Sequence, residues 1–198
     1  MRIETLTLVG GHPALDLVNT AERGVPAAGE PPLDHLATPD DLVVWARRVG
    51  LDPDTPDEAV LRRIRRLREA VHTAVLDRLG IRPAGDVTAA LALLDRRTAA
   101  AATRSRLRTA GAGLRREVGT DPAHRVEDQL AAAAVELLTG PEAARIKRCP
   151  VEQGGCGWVF VDRSRNSSRT WCRMEDCGTA VKARRLTERR RQARAAER

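Results

Sequence analysis

The sequence predicts an α+β fold: a mostly helical N-terminal domain with short β-hairpins, then a small four-cysteine module, treble-clef-like or ribbon-like, ending in a basic helix. Three observations predict it. Between residues 38 and 138 apolar side chains recur at helical spacing between helix start and stop signals. Two short alternating segments flank glycines, at Gly10-Gly11 and at Gly111. All four cysteines and two of the three Trp residues follow Arg145, and residues 1–144 hold no cysteine. The domains are therefore read as 1–144 and 145–198.

Taken in order, residues 4–9 (ETLTLV) and 14–19 (ALDLVN) predict a hairpin about Gly10-Gly11, although Pro13 weakens the start of the second strand. Residues 24–37, rich in Pro and Gly, predict a loop. Two helix starts share one design, Thr38-Pro39-Asp40-Asp41 and Thr55-Pro56-Asp57-Glu58. Each offers an N-cap Thr, Pro at the first helical position, and carboxylates at the positive end of the helix dipole. The first helix runs to about Val49, with Gly50 as its cap; the second places Val60, Ile64, Leu67, Val71, Ala74 and Leu79 on one face and stops at Gly80. A helix over 86–101 presents Val87, Leu91 and Leu94. Residues 103–109 and 113–118 form a second hairpin about Gly111. A helix over 122–138 contains the small run Ala131 to Ala134 and ends at Gly140-Pro141.

Aromatic residues make up only 2% of the chain, so the larger core must be built from Leu, Val, Ile and Ala. The net charge of +7 is one-sided: residues 1–144 hold 19 Arg against 21 Asp and Glu, and residues 145–198 hold 15 Arg and Lys against 6 Asp and Glu. Codon usage accounts for 32 Arg beside 2 Lys, but not for their placement. The asymmetry points to a nucleic acid or another anionic partner for the C-terminal end. No apolar run approaches the ~20 residues that span a bilayer, and the first residues are too polar for a signal peptide. The chain reads as cytoplasmic, with no membrane partner.

The cysteines are spaced C-x6-C-x15-C-x4-C, at Cys149, Cys156, Cys172 and Cys177. Two short pairs about fifteen residues apart match a structural site in which one Zn2+ per chain takes a tetrahedron of thiolates. Between the pairs, 157–161 predicts a strand, 162–168 a turn and 169–171 the returning strand, with Cys177 in the first turn of the last helix. A ~54-residue segment is near the size that needs a metal to fold. Spacing alone leaves two disulfides, free thiols or an iron–sulfur cluster as alternatives.

Segment 148–185 resembles the zinc finger of the CGNR family of bacterial transcription regulators. The likeness rests on Cys156-Gly157-Trp158, on Asp162-Arg163-Ser164-Arg165-Asn166, and on Arg169-x-Trp171-Cys172-x-Met174-x-x-Cys177-Gly178. In that family a domain called ABATE precedes the finger, and its opening GG-x-x-x-LD-x-x-NT is similar to Gly10-Gly11, Leu15-Asp16 and Asn19-Thr20 here. The resemblance implies zinc binding and DNA-linked regulation. Two departures stand out. Thr179-Ala180 replaces the name-giving Asn-Arg, and the first cysteine pair is wider, with Gly154-Gly155 absorbing the extra length.

Candidate contacts to double-stranded DNA are Arg163, Arg165, Asn166, Arg169 and Arg173 on or beside the cysteine hairpin, and Lys182, Arg184, Arg185 and Arg189 on the final helix. On that helix Lys182, Arg185 and Arg189 share a face. His12, Asp16 and Asn19 are the candidates for holding a small-molecule effector, with turn and strand-end chemistry as the alternative. A homodimer is compatible with this layout. No phosphate-binding glycine loop or nucleophile elbow is present, which argues against an enzyme. Beside a DNA-binding regulator stand two rivals: a zinc-stapled adaptor for an acidic protein, and a zinc–thiolate redox sensor.

Overall fold

Capping chemistry sets most helix ends. The computed structural model describes residues 2–24, 33–51 and 53–196. In chain order these form α1 (Pro13–Val18), α2 (Pro39–Arg48), α3 (Glu58–Arg78), α4 (Val87–Thr103), a ribbon of β1 (Arg106–Ala110) and β2 (Gly113–Glu117), α5 (Arg125–Thr139), a ribbon of β3 (Ile146–Arg148) and β4 (Val159–Val161), and α6 (Thr179–Ala196). Both ribbons are antiparallel. The α+β class is as the sequence predicts. No helix among the described residues is long and apolar enough to cross a membrane.

The predicted N-terminal hairpin is replaced by helix. Ile3–Thr5 make a 3-10 turn and Pro13–Val18 make α1. His12 is the N-cap, its ring accepting from Ala14 N, and Pro13 sits where its missing N–H is harmless. Ala14 through Val18 are all buried. A helix enclosed on every side lacks the one-sided pattern that separates helix from strand. Of the predicted loop over 24–37, residues 25–32 lie outside the described residues; Ala21 and Asp34 pair across it in an isolated bridge.

Helix α2 starts as predicted, with Thr38 and Asp41 bonding reciprocally as a capping box. Helix α3 starts two residues later than its twin design suggests. Asp57, not Thr55, is the N-cap, and its carboxylate accepts from Val60 N at 2.8 Å. Position 57 lies three residues before a free N–H, and a carboxylate opposite the dipole outcompetes a hydroxyl. On α4 the buried residues are Ala90, Leu94 and Ala101, while Leu91 is 47% exposed. The segment before α5 makes a separate 3-10 turn, Pro122–His124.

Helix α3 packs on α4 and α4 on α5, and α1 lies against α3, α5 and β4. Trp45, Leu15, Leu17, Leu61, Ile64, Leu67 and Leu130 are fully buried at the centre. The buried cluster continues past Arg145 without a break, through Ile146, Val159, Phe160, Val161 and Cys172.

Candidate metal centre and nucleic-acid interface

The cysteines converge through one small ribbon and two turns. Strand β3 pairs with β4 in the register Ile146↔Val161, Lys147↔Phe160, Arg148↔Val159. The predicted partner of 157–161 was 169–171, which forms no strand. Segment 146–148 takes that place because it leads directly into the first ligand: Cys149 N donates to Trp158 O at 2.8 Å, extending the ladder. Three residues are too few for a periodicity to reveal. Behind Cys149 the chain turns back, with Gly155 N donating to Pro150 O at 2.8 Å. A Cβ at Gly155 would stand 2.6 Å from Cys149 Sγ, so only glycine lets Cys156 approach. Cys177 lies in a π-turn, Met174–Gly178, just before α6 rather than in its first turn. A Cβ on Gly178 would meet Met174 Sδ at 2.3 Å.

All four Sγ atoms lie within 4.8 Å of one another. Cys156 and Cys172 sulfurs are 3.4 Å apart, and Cys172 and Cys177 sulfurs 3.6 Å. These edges approach the ~3.8 Å of a tetrahedron with zinc–sulfur bonds of ~2.3 Å. They are far above the ~2.05 Å of a disulfide, and all four thiols are free. A multi-iron cluster would hold the sulfurs farther apart. The donor set therefore fits one zinc ion, closed on four sides, with no position for a reacting water. Such an ion staples rather than catalyses.

Asp162 and Lys147 brace this centre; Asp162 opens the Asp162-to-Asn166 motif, and Lys147 did not stand out in the sequence. Asp162 is fully buried; it accepts from Ser164 N at 2.9 Å, Arg169 N at 3.0 Å and Lys147 Nζ at 2.7 Å. Burial opposes its ionisation, but the hydrogen bonds from Lys147 and Ser164 prevail and hold the carboxyl well below its usual range. Lys147 also donates to Arg169 O. The Asp-x-Ser spacing is an Asx-turn signal that could have marked Asp162.

The predicted DNA contacts divide. Arg169 is turned inward: its guanidinium lies 4.3 Å from the Phe160 ring centre, and it donates to the carbonyls of Trp171 and Cys172. It clamps the metal loop and is half-buried there. Arg163 forms a two-pronged pair with Glu142, at 2.7 and 3.0 Å, and Arg173 pairs with Glu175 and Asp176. Arg165 and Asn166 are exposed on the 162–168 turn. On α6, Val181 is buried and residues 182–192 are exposed throughout. Arg184 and Arg185 tie the helix to the knuckle through Gly154 O and Gln153 Oε1. At the family's Asn-Arg position, Thr179 Oγ1 closes the π-turn on Met174 O at 3.0 Å, and Ala180 is exposed.

His12, Asp16 and Asn19 each make separate contacts among the described residues. His12 caps α1, and Asp16 Oδ1 accepts from Gly10 N at 2.8 Å. Burial pushes the Asp16 carboxyl up to about 6, against the Gly10 hydrogen bond and the Arg48 charge. Asn19 completes a sheet edge. Residues 158, 160 and 162 of the β4 stretch face β3, which leaves the backbone of Val159 and Val161 facing α1 with no strand beside it. Asn19 Nδ2 donates to Val159 O at 2.9 Å and its Oδ1 accepts from Val159 N at 2.9 Å, while Val161 N donates to Gly10 O at 2.9 Å. The motif Gly10-Gly11 to Asn19-Thr20 thus forms a seam to the zinc ribbon. A separate cavity of about 350 Å³ opens between residues 53–60 and the start of α5, lined by Leu42, Val60, His124, Val126 and Glu127.

Two family matches cover most of the chain. Residues 11–141 match ABATE, described as "Putative stress-induced transcription regulator". Residues 145–190 match the CGNR zinc finger. No curated protein matches the chain.

Proposed function

This chain belongs to the ABATE family and carries a CGNR zinc finger, and on that premise we propose that it is a zinc-dependent regulator that binds double-stranded DNA through the finger and α6. The observation that carries the reading is α6 itself. It bears seven Lys and Arg against one Glu, and residues 182–192 are all exposed. An exposed cationic helix suits a polyanion. Zinc with four thiolates carries a formal charge of about −2, which leaves the C-terminal segment strongly positive. Arg165 and Asn166 would approach the duplex with Lys182, Arg185 and Arg189. The 53–60 cavity is of a size for a small effector and is a better place for one than the Asp16–Asn19 seam.

The test is fluorescence anisotropy with zinc-loaded protein and a mixed-sequence duplex at several salt concentrations, beside a chelated control. Removing Lys182, Arg185 and Arg189 together should lower the log–log salt slope by about 2.7, at 0.9 for each phosphate contact. Binding that ignores zinc, or a triple variant with an unchanged slope, would refute the reading. The redox rival keeps one observation in its favour. Cys156 and Cys177 are half-buried beside an open groove of about 720 Å³ lined by Gly154, Ala180 and Arg184. Reversible zinc release by peroxide, with a Cys–Cys disulfide formed as peroxide is reduced to water, would favour it.

A further inference from the structure

The ribbon between α4 and α5 has no cover. Both β1 and β2 are exposed along their length apart from half-buried Glu117. A two-stranded ribbon alone in water is marginal, and this one carries an added burden. Its register sets Arg108 directly opposite Arg115, a like-charge pairing that works against the ribbon. Residues 106–117 hold four Arg and one Glu, in a domain whose overall balance is acidic. That Glu, Glu117, is taken by Arg108 at 2.9 Å. Among the described residues Arg115 and Arg116 have no ion-pair partner, and Arg106 donates to Ser105 O at 3.3 Å. Arg106, Arg108 and Arg115 share one face of the ribbon, and Arg116 lies on the other, where Leu107 and Leu114 are each 67% exposed.

We propose that the β1–β2 ribbon is a second contact to duplex DNA, in which Arg106, Arg108 and Arg115 on its basic face bind backbone phosphates as the ribbon lies along a groove. Charge complementarity selects this occupant. The ribbon of a second copy would bring a like patch, whereas a two-stranded ribbon fits the major groove of a duplex. Arg108 and Arg115 line an open groove with Gln129, Ala132 and Glu136 of α5, the helix that the zinc ribbon follows.

The proposal presupposes that the full chain binds DNA, and the experiment separates the two ideas. The zinc-loaded full-length protein is titrated into a mixed-sequence duplex, as wild type, as Arg106→Gln/Arg108→Gln/Arg115→Gln, as the matching triple Lys variant, and as Lys182→Ala/Arg185→Ala/Arg189→Ala. The three ribbon arginines are exposed, so zinc content and thermal midpoint should be unchanged. The Gln variant should lower the salt slope by about 2.7 and weaken binding on the order of 10²-fold at about 0.1 M salt, and the Lys variant should keep the slope. Loss in the α6 variant with full retention in the Gln variant overturns the ribbon proposal and leaves the finger reading standing. Loss in the Gln variant alone upholds the ribbon and sinks the finger. Concentration-dependent self-association that the Gln variant abolishes, with DNA binding intact, assigns the ribbon to a second copy and overturns the proposal.

Discussion

Asn19→Ala tests whether a single amide joins the ABATE core to the zinc ribbon. Asn19 is 1% exposed and serves both backbone groups of Val159, at 2.9 Å each. Alanine would leave a buried N–H and a buried C=O unpaired. Each such group costs ~1–3 kcal/mol, so the variant should lose ~2–6 kcal/mol, out of a total stability of ~5–15 kcal/mol. With a urea dependence of ~2 kcal/mol per molar, the midpoint falls by ~1–3 M. The assay is urea unfolding followed by the Trp signal, with amide exchange resolved at Val159 and Val161. Zinc should leave faster to a chelator as well, because Trp158 and Cys156 immediately precede the strand that Asn19 holds. A loss below ~1 kcal/mol with Val159 still protected would refute the reasoning, since it would mean that water or a shifted backbone replaces the amide.

Other perturbations follow from the same contacts. Asp16 has a carboxyl raised to about 6 in the fold against ~3.9 when unfolded. Its burial therefore destabilises at neutral pH, and this penalty disappears as pH falls through 6 toward 4. Asp16→Asn should thus raise the thermal midpoint at pH 7, by up to ~3 kcal/mol in stability, and do little at pH 4; an equal effect at both would show that the charge is not what matters. Cys172→Ser or chelation should strip amide protection from 149–157 and 162–192, while Val159–Val161 stay protected by the shared core; protection of α6 without zinc would contradict this. Arg169→Ala removes a charged donor from the buried carbonyl of Cys172 and should cost ~2 kcal/mol and speed zinc release to a colorimetric chelator. Arg163→Ala breaks a pair whose side chains are 56% and 38% exposed, so stability should change by less than ~1 kcal/mol.

Local chemistry decided what the sequence could tell without the fold. Four thiols in two close pairs implied the metal because zinc asks only for donors and short loops, and these are sequence properties. The Thr38 capping box, the Gly50 and Gly80 stops and the Gly111 ribbon were legible because their hydrogen bonds close within a few residues. The one-sided charge was visible for the same reason: residue count needs no neighbours. Tertiary structure decided everything that depends on a partner far along the chain. It made Pro13–Val18 a helix, because enclosure by α3, α5 and β4 hides its periodicity. It chose 146–148 over 169–171 as the mate of β4, and it laid the half-buried Arg169 over the Phe160 ring. It also turned Asp16 and Asn19 from ligand candidates into fasteners for Gly10 and Val159, the latter 140 residues away. A side-chain amide looks the same in a sequence whether it waits for a ligand or already pairs with a strand; only the position of that strand separates the two.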